Sequence, residues 1–401
     1  MRVRSCETYW LLKNGLINTY PSLHSDVQCD VLVIGGGITG SLMAWQFASE
    51  GYDTVLVDRG DVSLGSTSAT TALLQYEIDA PLYTLMGDVG EQAAKDCYHG
   101  GVEAISKLET LIQSRGIACE FQRRSSMYVA HNRKQKANLW KEFSTREAAG
   151  IDVHWVADTE LKEAYGVEGF GAIRSTAAAC LDGYCLAHGL LHDATTSFRL
   201  RIYDHTEIES IAYQSGGNDL RIRGGWNVHT SKIIFATGYE TLSFLKDKVA
   251  DLISTYACIS EPLESLPIPL RENIFWTTDD PYLYLRSTAD NRILVGGADV
   301  SFKSAKRRDA LIDKKEVELV KQLKHLMPDL NIVPDFTWAG TFGVTKDALP
   351  YIGPHPDYPN SYFVLGFGGN GITFSVMAMK ILSDAMAARE NKFLQYFRFH
   401  R

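Results

Sequence analysis

The stretch VLVIGGGITGSLMAW, Val31 to Trp45, leaves this chain little freedom in how it begins to fold. A short, continuously apolar run, Asp30 to Ile34, has the character of a strand buried on both faces. It leads straight into Gly35-x-Gly37-x-x-Gly40 and then into an apolar helix predicted from about Ser41 to Glu50, which Gly51 can stop. Thr54 to Asp58 (TVLVD) reads as the next buried strand. Together these form a βαβ unit, which calls for a parallel sheet with helices on its faces.

In that context each glycine has a use. Gly35 allows the tight turn, Gly37 lets a pyrophosphate approach the backbone, and Gly40 lets the helix lie close to the sheet. The helix start, with Ile38 and Thr39, offers unpaired N–H groups and positive dipole to phosphate. Asp58 ends the second strand 18 residues past the last glycine, where its carboxylate can accept from both ribose hydroxyls; Arg59 follows it. This predicts dinucleotide binding without separating NAD from FAD.

A second glycine-rich helix start lies near the other end, VLGFGGNGITFSVMAMKIL, Val364 to Leu382. Gly368, Gly369, Asn370 and Gly371, followed by Ile372, would let backbone lie against a flat ring and aim the last helix's N–H groups at it. A helix N-terminus there favours an anionic, reduced ring. The plainer alternative is a helix that needs small residues for close packing.

The 401 residues allow one large or two medium domains. The formal charge of −8 argues against nucleic acid as a partner, because phosphate binding needs a basic face. No run approaches the roughly 18–20 apolar residues that span a bilayer. The N-terminus carries no apolar core with a small-residue cleavage site, so a cytoplasmic location is expected. Cys6, Cys29, Cys97, Cys119, Cys180, Cys185 and Cys258 are scattered without metal-ligand spacing and read as reduced thiols; no metal site is expected.

Further along, Asp88 and Glu91 resemble a capping signal for a long helix through the Ile112 region, broken by Gly116. From Glu120 the chain alternates strands with charged helices, notably Arg133 to Ala149 and Lys315 to Met327. Strands return at FTWAGTF and SYFVLGF before a closing helix from about Gly371 to Arg389. Dinucleotide-type signals sit at the front, middle and end, which implies two interleaved domains.

With these motifs placed, the chain resembles the FAD-dependent D-amino-acid oxidase, glycine oxidase and sarcosine oxidase superfamily. Five blocks carry the resemblance in order: VLVIGGGITG with TVLVDRG, GSTSATTALL, KIIFATGYE, DPYLYLRSTADNRILVGGAD, and WAGTFGVTKDALPYIG with GFGGNGITFS. The resemblance implies an α/β, two-domain fold. A Rossmann-like FAD-binding domain (1–90, 170–240 and 335–401) is interleaved with a substrate domain on a mixed or antiparallel sheet (91–169 and 241–334). It implies that Ser66, Thr67, Ser68, Thr70, Thr71 and Ala72 run past the pyrophosphate and the flavin. Ala236, Thr237 and Gly238 would turn under the adenosine half, and Ile208 would meet the adenine. Phe342 and Asp347 would lie by the flavin, Asp347 at its rim or bracing the turn. Covalent members attach flavin through a cysteine near the WAG block or a histidine in the Ser/Thr block. Neither block has one here, so the implied FAD is non-covalent. The details are most similar to a branch often joined to a Rieske domain, whose ligands this sequence lacks.

For substrate, Tyr282, Tyr284 and Arg286 alternate along one strand and share a face, while Leu283 and Leu285 point to a core. Two phenols and a guanidinium could grip a carboxylate or an amine-bearing chain. The carboxylate-binding arginines of glycine oxidase are replaced by Phe342 and Gly369. The resemblance therefore implies an FAD-dependent oxidoreductase that oxidises a C–N bond of a small amine or amino acid by hydride transfer to flavin N5. Electrons would pass to oxygen or a redox partner. No side-chain general base is required, and His188, His192 and His205 read as ordinary helix or strand residues. Two other readings remain: a flavin dehydrogenase acting on a C–O bond of a hydroxy acid or polyol phosphate, and a catalytically weak flavin-binding protein.

Overall fold

The computed structural model describes every residue except Met1, Cys6, Ser215 and Phe244. Its first sheet grows from the strand Val27–Ile34, whose burial alternates at the start and becomes continuous at Val31 to Val33. That strand pairs in parallel with Thr54–Val57 on one side and Asn227–Phe235 on the other, placing Val33 opposite both Leu56 and Ile234. Leu200–Tyr203 and Tyr358–Leu365 extend the parallel sheet outward, and Tyr351–His355 closes one edge antiparallel. The hairpin Ile208–Gln214 and Gly217–Ile222 pairs antiparallel onto Asn227–Phe235.

The helix Ile38–Ser49 follows the first glycine turn, and Gly371–Met386 packs on it. Their first turns are joined by a 2.8 Å hydrogen bond between Thr39 Oγ1 and Ser375 Oγ. Farther along, Ser383 Oγ donates to Glu50 Oε1 at 2.6 Å. The two glycine-rich helix starts, more than 300 residues apart in sequence, are thus neighbours.

The second sheet runs Pro334–Val344, Asp251–Ser260, Ile293–Ser301, Leu283–Ser287, Asn273–Thr277, Gln122–Val129, Ala172–Cys180 and Leu73–Gln75, with Val153–Val156 also on Ala172–Cys180. Every pairing is antiparallel except that of Asn273–Thr277 with Gln122–Val129. Helix Ile312–Leu326 covers it, burying Leu319 and Leu323 against Leu283, Leu285 and Val295. Leu73–Gln75, Ala172–Cys180 and Pro334–Val344 come from the segments 1–90, 170–240 and 335–401 or their border, yet all pair in this sheet.

Helix boundaries differ from expectation near Asp88. Two helices, Leu82–Val89 and Glu91–Arg115, meet at Gly90, whose φ of +91° turns the chain. Asp88 therefore lies in the last turn of the first helix and caps nothing. Gly116 ends the long helix in the left-handed conformation that favours glycine. Six cysteines are described, all as free thiols, and Cys6 lies outside the described residues. No helix among the described residues is long and apolar enough to cross a membrane.

Candidate active site

The first glycine turn is shaped by steric limits that a side chain would violate. Gly35 has φ +105°, and a methyl on it would lie 2.5 Å from Ala236 O. A methyl on Gly40 would lie 1.8 Å from Gly35 O, so helix and turn are in backbone contact. Asp58 fastens the turn: Oδ2 accepts from Gly36 N at 2.7 Å and Oδ1 from Gly60 N at 2.9 Å. Burial nevertheless pushes its carboxyl up from the ordinary value. Thr67 Oγ1 accepts from Ile38 N at 2.8 Å, tying the Ser/Thr block to the helix start.

From this turn a continuous cleft of about 780 Å³ runs to the second one, within the upper part of the roughly 300–1,000 Å³ span of small-molecule sites. Gly35, Gly37, Ile38, Thr39, Asp58 and Arg59 line it, as do Ser66, Thr67, Thr70, Thr71 and Ala72. Ile208, Ala236, Thr237 and Gly238 line it beside Asp58's strand, and Phe342, Gly368, Gly369, Asn370, Gly371 and Ile372 line it at the start of Gly371–Met386. The structure thus brings most of the expected residues to one surface.

The Ser/Thr block is held from behind. The carbonyls of Ala69, Thr70 and Thr71 accept, in turn, from Trp338 Nε1 at 2.9 Å, Trp10 Nε1 at 2.5 Å and Arg286 Nε at 2.7 Å. Asn370 plays a similar part for the neighbouring strand, its Nδ2 donating to Gln75 O and Glu77 O at 3.1 and 2.8 Å.

Four expected contact residues stand off the cleft wall. Gly40 serves the helix–turn contact. Ser68 is fully buried and donates to Gly65 O. Asp347 binds Arg401 through both carboxylate oxygens, at 2.6 and 2.8 Å, and accepts from Leu349 N, so it braces its own turn. Arg286 shares the face of Tyr282 and Tyr284, as its spacing requires, but farther along the strand, where the N-terminal segment covers the sheet. Its guanidinium is 3 % exposed, lies over the Trp10 ring and donates to Thr71 O and Leu181 O. With its hydrogens spent on backbone carbonyls, Arg286 does not reach into the cleft.

Tyr282 and Tyr284 do line the cleft, their ring centroids 5.8 Å apart. Burial is the chief reason both phenols are pushed up, Tyr284 to about 12, so both are neutral donors. The VGGAD block makes room for them. A methyl on Gly296 would overlap the Tyr284 ring at 2.3 Å, and one on Gly297 would lie 2.2 Å from Tyr282 O. Trp276 joins this wall, stacked on Tyr128.

Sequence reasoning missed Trp10, Trp276 and Asp79. The aromatic pair opening YWLLKNG and the acids set among apolar residues in LLQYEIDAPL were the available signals. Asp79 is exposed on the cleft; desolvation by the surrounding cleft walls pushes its carboxyl up, against the Gly369 N–H that lowers it. No histidine or cysteine lines the cleft among the described residues. His188 is buried under Tyr184 without a hydrogen-bond partner and pushed down to about 4 by burial. One Asp/His group, Asp247 with His355 and His400, lies together elsewhere. There His355 Nδ1 accepts from Asp357 N, which leaves the proton on Nε2, facing Asp247 at 3.2 Å. That tautomer suits an ion-pair network and opposes metal ligation through Nε2.

Comparison with known proteins agrees with this geometry. The family model described as DAO, FAD dependent oxidoreductase, matches residues 30–385. The chain is 24% identical over 409 residues to the putative Rieske 2Fe-2S iron-sulfur protein YhfW of Bacillus subtilis (strain 168), covering 98% of this chain and 76% of that one. It is 25% identical to gamma-glutamylputrescine oxidoreductase of Escherichia coli (strain K12), covering 96% and 90%. Among solved structures, glycine oxidase from Geobacillus kaustophilus superposes with a TM-score of 0.77 at 20% identity, over 94% of this chain and 99% of that one. The glycine cradles, the Asp58 carboxylate and the length of the cleft all suit FAD. The chain belongs to the DAO family of FAD-dependent oxidoreductases.

Proposed function

We propose that the protein oxidises a C–N bond of a small amine or amino acid, with FAD bound non-covalently along the cleft. The observation that carries this reading is the cleft's continuity: it starts at the Gly35 turn, passes the Ser/Thr block and reaches the Gly368–Gly371 turn beside an aromatic wall. The names of two relatives, gamma-glutamylputrescine oxidoreductase and glycine oxidase, point to the same substrate classes.

When bound, FAD supplies the two-electron acceptor for a hydride leaving the carbon that bears nitrogen. The protein's residues do the rest. Gly35, Gly37 and the first turn of Ile38–Ser49 would hold the pyrophosphate, and Asp58 the ribose. The first turn of Gly371–Met386 directs N–H groups and dipole to a region where negative charge develops. Tyr282, Tyr284 and Trp276 orient substrate and exclude water. Among the described residues no cysteine or histidine lines the cleft, which supports a non-covalent flavin.

A hydroxy acid or polyol phosphate would need a cation near the aromatic wall. Among the described lining residues Arg59 is the only basic one, and it pairs with Glu240 beside Asp58. The C–N reading is therefore the better supported. The test is an anaerobic screen of the yellow holoprotein across amines, N-methyl amino acids and D-amino acids. Bleaching of the flavin with release of ammonia or amine is expected. Bleaching only by hydroxy acids or polyol phosphates would refute the reading, as would reduction by dithionite alone.

A further inference from the structure

Asp79 presents its carboxyl to the cleft with no basic side chain bonded to it. It follows the strand Leu73–Gln75 and lines the cleft, where Oδ2 accepts a 2.8 Å hydrogen bond from Gly369 N. Its other oxygen takes no donor among the described residues. A methyl placed on Gly369 would lie 3.0 Å from that oxygen and 3.3 Å from the Tyr282 hydroxyl, so carboxylate and phenol flank one small space. Tyr284, Trp276 and Phe342 line the same cleft. Behind them half-buried Asp299 has Oδ1 unpartnered; it feels the charges of Asp79 and, with opposite sign, Lys315, and its own charge is felt by Tyr282 and Tyr284.

A carboxylate that faces a cleft with one oxygen free of donors is a ready acceptor for an ammonium group. Carboxylate and aromatic faces together form a receptor for ammonium groups. A substrate carboxylate placed here would meet the Asp79 carboxylate, with no guanidinium or ammonium among the described lining residues of this wall. We propose that Asp79 receives the protonated nitrogen of the substrate on binding, so that the site selects amines without a carboxylate over the corresponding α-amino acids. The proton then leaves to water, freeing the lone pair that hydride loss from the adjacent carbon requires. This inference rests on the C–N reading above and names the substrate class within it.

The experiment uses the FAD-loaded protein and Asp79→Asn, whose side-chain oxygen can still accept from Gly369 N. Flavin reduction is followed anaerobically for pairs that share a skeleton: cadaverine and lysine, phenethylamine and phenylalanine, N-methylbutylamine and N-methylnorvaline. The amine of each pair is expected to show at least about tenfold higher kcat/KM. In Asp79→Asn its KM should rise at least about tenfold while kcat changes much less. Faster reduction by the amino acids, or a KM within about twofold of wild type in Asp79→Asn, would overturn the inference. Binding is measured separately with benzyltrimethylammonium, which has no nitrogen lone pair and cannot be oxidised, against phenylacetate as the anion. Perturbation of the flavin spectrum by the cation alone, weakened at least about tenfold in Asp79→Asn, supports the inference even if no C–N compound bleaches the flavin and the proposed reaction falls. Equal binding of the cation to both proteins, or none to either, overturns it.

Discussion

Replacing Arg286 with alanine separates two roles that the residue could have. If its guanidinium gripped substrate, the variant would be stable and would bind substrate poorly. The structure instead places it behind the cleft wall, donating to Thr71 O at 2.7 Å and Leu181 O at 2.9 Å, with a longer contact to Ser287 O at 3.5 Å. Hydrogen bonds from a charged donor contribute about 1.5–3 kcal/mol each, so loss of the two short ones costs about 3–6 kcal/mol. Loss of the contact with the Trp10 ring acts in the same direction. Unfolding entropy of about 2.1 cal/mol/K per residue makes each kcal/mol worth roughly 1 °C in a cooperative chain of this length, 401 residues. Thermal unfolding of the FAD-loaded variant should therefore fall by about 4–7 °C. The freed Thr71 carbonyl lies in the block that lines the cleft, so flavin should also be lost more readily on gel filtration. Arg286→Lys, which can serve one carbonyl but not the fork, should fall between. An unchanged melting temperature together with a tenfold rise in KM would refute the argument and return Arg286 to the substrate.

Two further outcomes follow from the packing. Gly40→Ala drives a methyl against Gly35 O, a backbone atom that cannot yield without moving the turn; it should be recovered with less than about half the wild-type flavin, read from the visible-to-ultraviolet absorbance ratio. Gly87→Ala, whose methyl would meet nothing within 4 Å, should keep its flavin. Arg401→Gln tests the brace on Asp347. Burial pushes that carboxyl up, but hydrogen bonds and charge from Arg401 outweigh it and hold the carboxyl below its ordinary value of 3.8. A depressed folded-state value stabilises above the unfolded value and is lost as pH falls through the folded one. The variant should be less stable than wild type by about 1–3 kcal/mol at neutral pH, and the gap should close below about pH 4. A gap that is constant with pH would assign the effect to packing on Tyr351.

Much of the cofactor end was legible because its signals are local. Strand, glycine turn and helix follow one another within 20 residues, and each glycine answers a backbone constraint that any chain making that turn would face. Asp58 is placed by the strand it ends. The partner of a polar side chain is a different kind of quantity. Asp347 finds Arg401 54 residues away, and Arg286 finds Thr71 215 residues away. Alternation put Arg286 on the correct face of its strand but carries no information on what covers each part of that face.

The sequence by itself determined that two glycine-opened helices and a βαβ unit would be present, because backbone sterics and hydrophobic period act over a few residues. Only the tertiary structure decided that the two helices lie side by side, that Trp10 and Arg286 support the wall from behind, and that Asp79 faces the space beside Tyr282. Those outcomes depend on pairings across hundreds of residues, where the identity of a side chain fixes what it can bond but not which neighbour the fold brings to it.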